Sequence, residues 1–387
     1  MSYISNSSTS IPPGLLQTKP PPSFAPDIIS STSKASEDDA SFNFERKPRL
    51  EDFTFLQVLG AGTFGTVQIA QHIETKQYFA IKTLKKERVI ALRQAQHIKN
   101  ERDILYRCRH PRIVKLFETM QDDENLYLIL EYCPGGDFFT VRQQFDHLKP
   151  SVCRYYAAQM VTALERLHKE HVAYRDLKPE NVLLDADGQL KLTDLGFAKE
   201  IRDLTFTLCG TPDYIAPELV LGKGHDIGVD YWALGVFIYE MMIGIPPFYS
   251  DSLLTTYDAI VRFKPPTRGL FERHSGDTDE EARLRVEGKN LIVDLMKKDK
   301  TKRLGCLKGG IADIKNHPFF LGIDWHRIEN GLDPAPIKPH IIPPEKIPPY
   351  SPDQSLEAEL EAYHDESDGK TKKFVDPDRD PANFADF

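Results

Sequence analysis

From Phe53 onward, apolar and polar residues come in short runs, Phe55 to Leu59, Val67 to Gln71 and Tyr78 to Leu84, separated by Gly-rich or charged turns. Runs of this length bounded by turn residues predict β-strands joined by hairpins. The spacing then lengthens. Glu87 to Cys108 reads as one helix, and from about Ser151 apolar residues recur every three or four positions (Val152, Tyr155, Tyr156, Met160, Ala163, Leu164, Leu167), which predicts a second, mainly helical part.

The flanks read differently. Residues 1 to about 45 are rich in Ser, Pro and Thr without apolar periodicity, the pattern of a disordered leader. Residues 271–287 are charged and contain Ser275-Gly276-Asp277, which predicts an exposed loop before a helix around Leu291 to Met296. Residues 331–352 are Pro-rich and predict an extended strap over a surface. The acidic last stretch carries a short candidate helix at Leu356 to Tyr363 and ends Phe384-Ala385-Asp386-Phe387, with no internal repeat anywhere.

With 387 residues, 40% of them hydrophobic, the chain can build a sizeable core. A net charge of −9 argues against general nucleic-acid binding and suits cationic peptide partners. The five cysteines (Cys108, Cys133, Cys153, Cys209, Cys306) have neither zinc-ligand spacing nor an even count, so a reducing compartment is expected. There is no secretory leader pattern, no apolar run long enough for a membrane span and no membrane anchor, since Ser2 rather than Gly follows Met1. The expected location is cytoplasmic, with nuclear entry open.

The chemistry concentrates in Tyr174-Arg175-Asp176-Leu177-Lys178-Pro179-Glu180-Asn181 and Asp194-Leu195-Gly196. Together these strings supply a base, a cation and hard oxygen donors for a divalent ion. Phosphoryl transfer needs that set, because its catalysis is mostly positioning and charge stabilisation. Gly60-Ala61-Gly62-Thr63-Phe64-Gly65-Thr66-Val67 is a Gly-rich loop whose backbone amides can approach phosphate oxygens. A dinucleotide fold would have this loop open a helix; here a strand pattern follows, and Ala80-Ile81-Lys82 lies on the next strand.

In this order the strings resemble the protein kinases. The resemblance implies an α+β, bilobal kinase fold over residues 53–320, with a β-rich N-lobe (about 53–132), a mainly helical C-lobe (about 133–320) and a C-terminal tail (321–387). It also implies ATP and Mg2+ as cofactors. Leu59 to Gly65 and Val67 would cover the phosphates and adenine, with Leu59, Gly60, Ala61, Gly62, Thr63, Phe64 and Gly65 forming the loop itself. Ala80, Leu183 and Leu130 would line the adenine pocket, and Glu131 to Cys133 would offer hinge backbone. Lys82, held by Glu101, would contact phosphates. Asp176 would accept the substrate hydroxyl proton, Lys178 would neutralise the transferring phosphate, and Asn181 and Asp194 would bind the metal. Leu195 stands where the family usually has Phe, keeping an apolar contact among Leu105, Leu116 and Tyr174. Glu218 would pair with Arg303, and Asp230 would buttress the catalytic loop.

Thr207, between Asp194 and Ala216-Pro217-Glu218, matches the activation-loop phosphoacceptor, with His97, Arg175 and Lys199 as its phosphate ligands. Leu208-Cys209-Gly210-Thr211-Pro212, Tyr174 and the terminal Phe-x-x-Phe narrow the resemblance to the AGC group of serine/threonine kinases, and within it to catalytic subunits of the cAMP-dependent kinases. In that group acidic residues read substrate arginines; Asp137, Glu180 and Glu240 match them, and Leu208, Pro212 and Ile215 match an apolar pocket after the acceptor. The implied partners are basic Ser/Thr substrates of the type Arg-Arg-x-Ser/Thr and a cAMP-binding regulatory subunit, although Phe206 replaces a Trp that helps hold such a subunit. Phe384 and Phe387 would dock in an N-lobe pocket, with the terminal carboxylate free. Asp376 would supply a fixed negative charge near the family's turn phosphosite. Other readings of the same residues are a nucleotide-binding pseudokinase or scaffold and a differently regulated basophilic AGC kinase.

Overall fold

A computed structural model describes residues 44–207, 209–262, 272, 276–347, 384 and 387. Leu208, Asp376 and the candidate helix at Leu356 to Tyr363 lie outside the described residues.

The first lobe is an antiparallel sheet built from β1 (Phe53–Gly62), β2 (Gly65–His72) and β3 (Tyr78–Lys85), two helices, α1 (Lys86–Ala91) and α2 (Ala95–Arg107), and then β4 (Leu116–Gln121) and β5 (Asn125–Glu131). The strand order is β1-β2-β3-β5-β4. The short runs do form these strands because both faces of the sheet's middle are covered: Ile69, Leu126 and Leu128 are buried on one, Phe79 and Ile81 on the other. Register sets Gly62 opposite Gly65, Val67 opposite Lys82 and Ala80 opposite Leu130. Gly65 is required by close packing, since a Cβ there would sit 1.8 Å from the Thr83 carbonyl oxygen.

The expected single helix from Glu87 to Cys108 is two helices. Arg93 takes a left-handed φ of 54°, which ends α1 and lets α2 start in a new direction. No Gly or Pro marks the break, so the sequence does not show it.

The second lobe contains α3 (Phe138–Arg142), α4 (Pro150–Lys169), β6 (Val172–Ala173), β7 (Val182–Leu184), β8 (Leu190–Leu192) and β9 (Lys199–Glu200). It continues through α5 (Pro217–Val220), α6 (Gly228–Ile243), α7 (Leu253–Arg262), α8 (Asp279–Leu295), α9 (Ile311–Lys315) and α10 (Trp325–Asn330). Pro150 opens α4 at a position where its missing N–H costs nothing, and Arg166, His168 and Lys169 sit in its last turn, where the helix dipole favours cations. From Gly228 to Met242, α6 is buried all round, so it forms the axis of the lobe. At Gly235 a Cβ would come within 2.6 Å of the Met296 side chain, so the glycine lets the end of α8 lie against α6.

The predicted loop over residues 271–287 is helical from Asp279. Thr278 caps α8 by accepting from the Glu281 amide, and Asp279, Glu280 and Glu281 place negative charge at the positive end of the helix. The stripe Leu284, Leu291, Ile292 and Leu295 is buried, but the surrounding charges hide its period in the sequence. Thr278→Ala should lower stability by about 1 kcal/mol through loss of the cap, read as a lower unfolding midpoint in urea with an unchanged slope.

Beyond α10 the chain runs without helix or strand through residue 342 to a short 3-10 turn at Pro344–Lys346, and residues 348–352 of the expected strap lie outside the described residues. It is pinned to the C-lobe where the Ile337 amide donates to the Tyr156 hydroxyl at 3.3 Å, and to the N-lobe where the Tyr78 hydroxyl donates to Glu345 at 2.5 Å.

Candidate active site

The cleft between the lobes is built by elements that each present one part of the site. The β1–β2 hairpin carries the Gly-rich loop, with Thr63 and Phe64 between Gly62 and Gly65. The Phe64 carbonyl accepts from the Lys85 amide at 3.0 Å, and Arg88 donates to the Thr63 carbonyl at 3.3 Å. A Cβ at Gly60 or Gly62 would meet nothing within 4 Å, so this edge is open to a ligand's backbone contacts. Leu59 is exposed, Ala61 and Val67 half-buried, and Ala80 and Leu130 buried. From below, Leu183 on β7 is tied to the hinge loop: the Gly135 amide donates to the Leu184 carbonyl and the Leu184 amide to the Gly136 carbonyl, at 3.0 and 2.9 Å. At the hinge, Lys191 pairs with Glu131 at 2.8 Å, and Cys133 is buried.

Lys82 Nζ donates to both Glu101 oxygens, at 2.7 and 3.0 Å, and lies 3.8 Å from Asp194. Burial alone would drive the Lys82 pKa down; the Glu101 and Asp194 carboxylates outweigh it and raise it. Burial raises the Glu101 pKa, with the Lys82 ammonium working against it. The pair joins β3 to α2, so it sets where α2 sits over the cleft. The next residue, Arg102, lies over the Phe387 ring at 5.4 Å. Phe384 and Phe387 are both buried; Gln121 donates to the Phe384 carbonyl at 2.6 Å and Thr119 to a carboxylate oxygen of Phe387 at 3.0 Å, so that carboxylate is bound and not free as expected. These aromatic residues therefore lock α2 against β4.

Asp176 is 4% exposed, and its carboxylate is held from several sides. Asn181 Nδ2 donates to Oδ2 at 2.6 Å, the Thr211 amide and hydroxyl donate to Oδ1 at 3.1 and 3.0 Å, and Lys178 Nζ lies 3.3 Å from Oδ2. Lys178 also donates to the Thr211 hydroxyl at 2.7 Å. Thr211 thus joins Asp176 to Lys178. Sequence reasoning used Thr211 only as part of a recognition string; its position in Leu208-Cys209-Gly210-Thr211-Pro212 was the one available signal.

The backbone beneath the site is strained. Arg175 and Asp194 have φ of 71° and 50°, values uncommon outside glycine. Buried Asp230 holds the first by accepting from the Tyr174 and Arg175 amides, each at 2.8 Å, which is the buttress expected of it. Asp194 Oδ1 accepts from the Gly196 amide at 3.3 Å. Leu195 is buried in the same core as Leu105, Leu116 and Tyr174. Glu218 and Arg303 form the expected buried pair, at 2.6 and 2.9 Å.

Asn181 and Asp194 give an amide oxygen and a carboxylate, a hard donor set that fits magnesium completed by phosphate oxygens and water. Lys82 beside Asp194 and the open Gly60–Gly62 edge fit the polyphosphate.

Around the activation loop, Thr207 is exposed, Arg175 donates to the Phe197 carbonyl at 2.8 Å, and Lys199 donates to the Thr205 hydroxyl at 2.9 Å. His97 is hydrogen-bonded to Gln94 at the start of α2. Of the residues expected to read substrate arginines, Glu180 is exposed. Asp137 caps α3, accepting from the Thr140 amide at 2.7 Å and its hydroxyl at 2.9 Å. Glu240 is 3% exposed, accepts from the Tyr214 hydroxyl and lies 3.5 Å from Arg142. Its pKa is raised, chiefly by burial. Pro212 is half-buried and Ile215 buried; Leu208, the third residue of that pocket, lies outside the described residues. Burial raises the Cys209 pKa despite nearby Arg175, which leaves its thiol protonated and weakly nucleophilic at neutral pH.

Among the described residues no helix is long and apolar enough to cross a membrane. Residues 53–320 match the family described as Protein kinase domain. The chain is 43% identical over 295 residues to the cAMP-dependent protein kinase catalytic subunit of Dictyostelium discoideum, covering 76% of this chain and 44% of that protein. It is 41% identical over 344 residues to catalytic subunit 3 of Drosophila melanogaster (88% and 54%), and 41% identical over 292 residues to the human cAMP-dependent protein kinase catalytic subunit PRKX (76% and 78%). The chain thus spans about half the length of the first two relatives. On the match over residues 53–320 and this similarity, the chain belongs to the protein kinase family.

Proposed function

We propose that this chain is a serine/threonine kinase that transfers the γ-phosphate of ATP, with magnesium, to Ser or Thr in basic proteins. The observation that carries the reading is the closed circuit Asp176–Thr211–Lys178 beside an intact Lys82–Glu101 pair. The bound Mg2+–ATP supplies the phosphoryl group and screens its charge. The protein positions the reactants: Asp176 orients the acceptor hydroxyl and takes its proton, Lys178 faces the transferring phosphoryl, Lys82 holds the polyphosphate, and Asn181 and Asp194 hold the metal. The new bond forms from the acceptor oxygen to phosphorus as the bond to ADP breaks.

Substrate reading by Glu180, Glu240 and Asp137 belongs to the same proposal. Exposed Glu180 meets a substrate guanidinium first. Glu240 is fixed by Tyr214 and Arg142 and favours a ligand that brings its own positive charge into a buried site. Asp137 keeps lone pairs beyond the two used by Thr140. Pro212 and Ile215 suit an apolar residue after the acceptor. A cAMP-binding regulatory subunit is the proposed partner, supported by the names of the relatives, while exposed Phe206 offers it a smaller ring than the Trp it replaces.

The test is steady-state transfer to an Arg-Arg-x-Ser-apolar peptide and to versions with each Arg replaced by Ala, with and without a regulatory subunit and cAMP. Glu180→Gln should raise the peptide KM roughly ten- to hundredfold, the loss of one charge-assisted hydrogen bond, with the ATP KM unchanged. Equal kinetics on all peptides would refute the specificity, and transfer indifferent to the subunit would refute the partner.

A further inference from the structure

His225 lies in the loop between α5 and α6, where the sequence gives it no role. It is 1% exposed, and its Nε2 is buried without a hydrogen-bond partner. Arg175 Nη1 is buried and partnerless as well. A buried polar atom left unbonded costs about 1–3 kcal/mol, and Arg175 acts electrostatically on His225, so one anionic acceptor would suit both nitrogens. Their position suggests what that acceptor is. His225 and Thr205 exchange backbone hydrogen bonds at 2.8 and 3.0 Å, clamping the activation loop two residues before Thr207. The Phe206 ring lies against Gly224, where a Cβ would come within 2.9 Å of it. Lys199 holds the Thr205 hydroxyl from the other side. Lys199 and His225 therefore both hold Thr205, two residues before the phosphoacceptor, and Arg175 acts electrostatically on His225.

We infer that His225 is a ligand for a phosphate on Thr207, donating from Nε2 beside Arg175 and making the docking of the phosphorylated loop sensitive to pH. The inference rests on the reading of Thr207 as the activation-loop phosphoacceptor and adds to it a proton-binding member. The charged groups acting on the imidazole are Arg175 from the catalytic loop, Glu218 from α5, Asp226 from the loop before α6 and Asp230 from α6. Without phosphate, burial first and Arg175 second hold its pKa below the ordinary value, so the ring is neutral at pH 7. A phosphate dianion offsets Arg175 and favours the imidazolium. Phosphate docking therefore takes up a proton, and the stabilisation it brings grows as pH falls from 8, until the phosphate's own second ionisation near pH 6 reduces its charge.

The test uses the full chain with phosphothreonine genetically encoded at position 207, beside the unphosphorylated chain. The His225 imidazole is titrated by NMR in both, and the unfolding midpoint is followed from pH 8 to 6.5. The expected result is an upward displacement of the His225 titration midpoint on phosphorylation, with a phosphate-dependent stabilisation that steepens toward low pH and loses that steepening in His225→Gln. An identical His225 titration in the two forms overturns the inference, and that comparison needs no variant to fold. Lys199→Ala separates the two readings. If phosphorylation stabilises the wild type, less so Lys199→Ala, yet leaves the His225 titration unmoved, the Thr207 reading stands and His225 is no ligand. If it stabilises no form of the chain, the Thr207 reading fails and the inference with it.

Discussion

Asp176→Asn should lower kcat by about 10²- to 10⁴-fold, the range a positioned general base supplies, while the ATP KM changes little. The substitution keeps side-chain shape but replaces an acceptor oxygen with an amide that cannot take a proton. It also sets N–H groups against those of Asn181 or Thr211, which now donate to the carboxylate. Nucleotide binding is expected to survive because Lys82, Glu101 and Asp194 are untouched. Steady-state kinetics with an unfolding control would check it; a kcat within tenfold of wild type in a folded variant would remove Asp176 from the role of base. Thr211→Val should fall between wild type and Asp176→Asn, since it removes the hydroxyl that links Lys178 to Asp176 but leaves the position 211 amide donating to the carboxylate.

The largest effect on stability is expected at Arg303. It is fully buried, donates to both Glu218 oxygens, to the Gly228 carbonyl at 2.9 Å and to the Lys297 carbonyl at 3.1 Å, and lies 5.4 Å from the centre of the Trp232 ring. Arg303→Met fills similar volume but leaves the Glu218 carboxylate buried and unpaired, a loss of about 3–5 kcal/mol. Glu218→Gln in the same chain removes the stranded charge and should recover part of the loss. Urea unfolding of the two single variants and the double variant gives the coupling directly. Additive losses would mean that the pair contributes no mutual stabilisation. Because the pair joins the start of α5 to the chain after α8, activation-loop geometry and kcat should weaken along with stability.

What was legible in the sequence was what is local. The Gly-rich hairpin, the Lys82 strand and the strings around Asp176 and Asp194 carry their chemistry in consecutive residues, so their order alone was enough to infer the lobes and the site. The α8 start was hidden because its apolar stripe lies among acidic and basic side chains, and the signal that mattered was the Thr278 cap. The α1–α2 break rests on a left-handed Arg93, which no residue type announces. Thr211 and His225 were missed for a different reason. Their partners, Asp176 and Lys178 for one and Thr205 and Arg175 for the other, are distant in sequence and meet only once the activation loop folds back. Burial likewise decides how Glu240 acts: the sequence gives the carboxylate, while Tyr214 and Arg142 set the environment in which it works.

The proposed function requires this site to transfer phosphate and not only to hold a nucleotide. The most direct measurement is transfer of label from γ-³²P-ATP to an Arg-Arg-x-Ser-apolar peptide, with and without magnesium, by chain carrying phosphothreonine at position 207. Mass spectrometry of the product locates the phosphate. Magnesium-dependent phosphoserine, lost in Asp176→Asn, is the expected result. Tight ATP binding without labelled peptide, from protein confirmed as phosphorylated on Thr207, would contradict it and identify the chain as a nucleotide-binding scaffold.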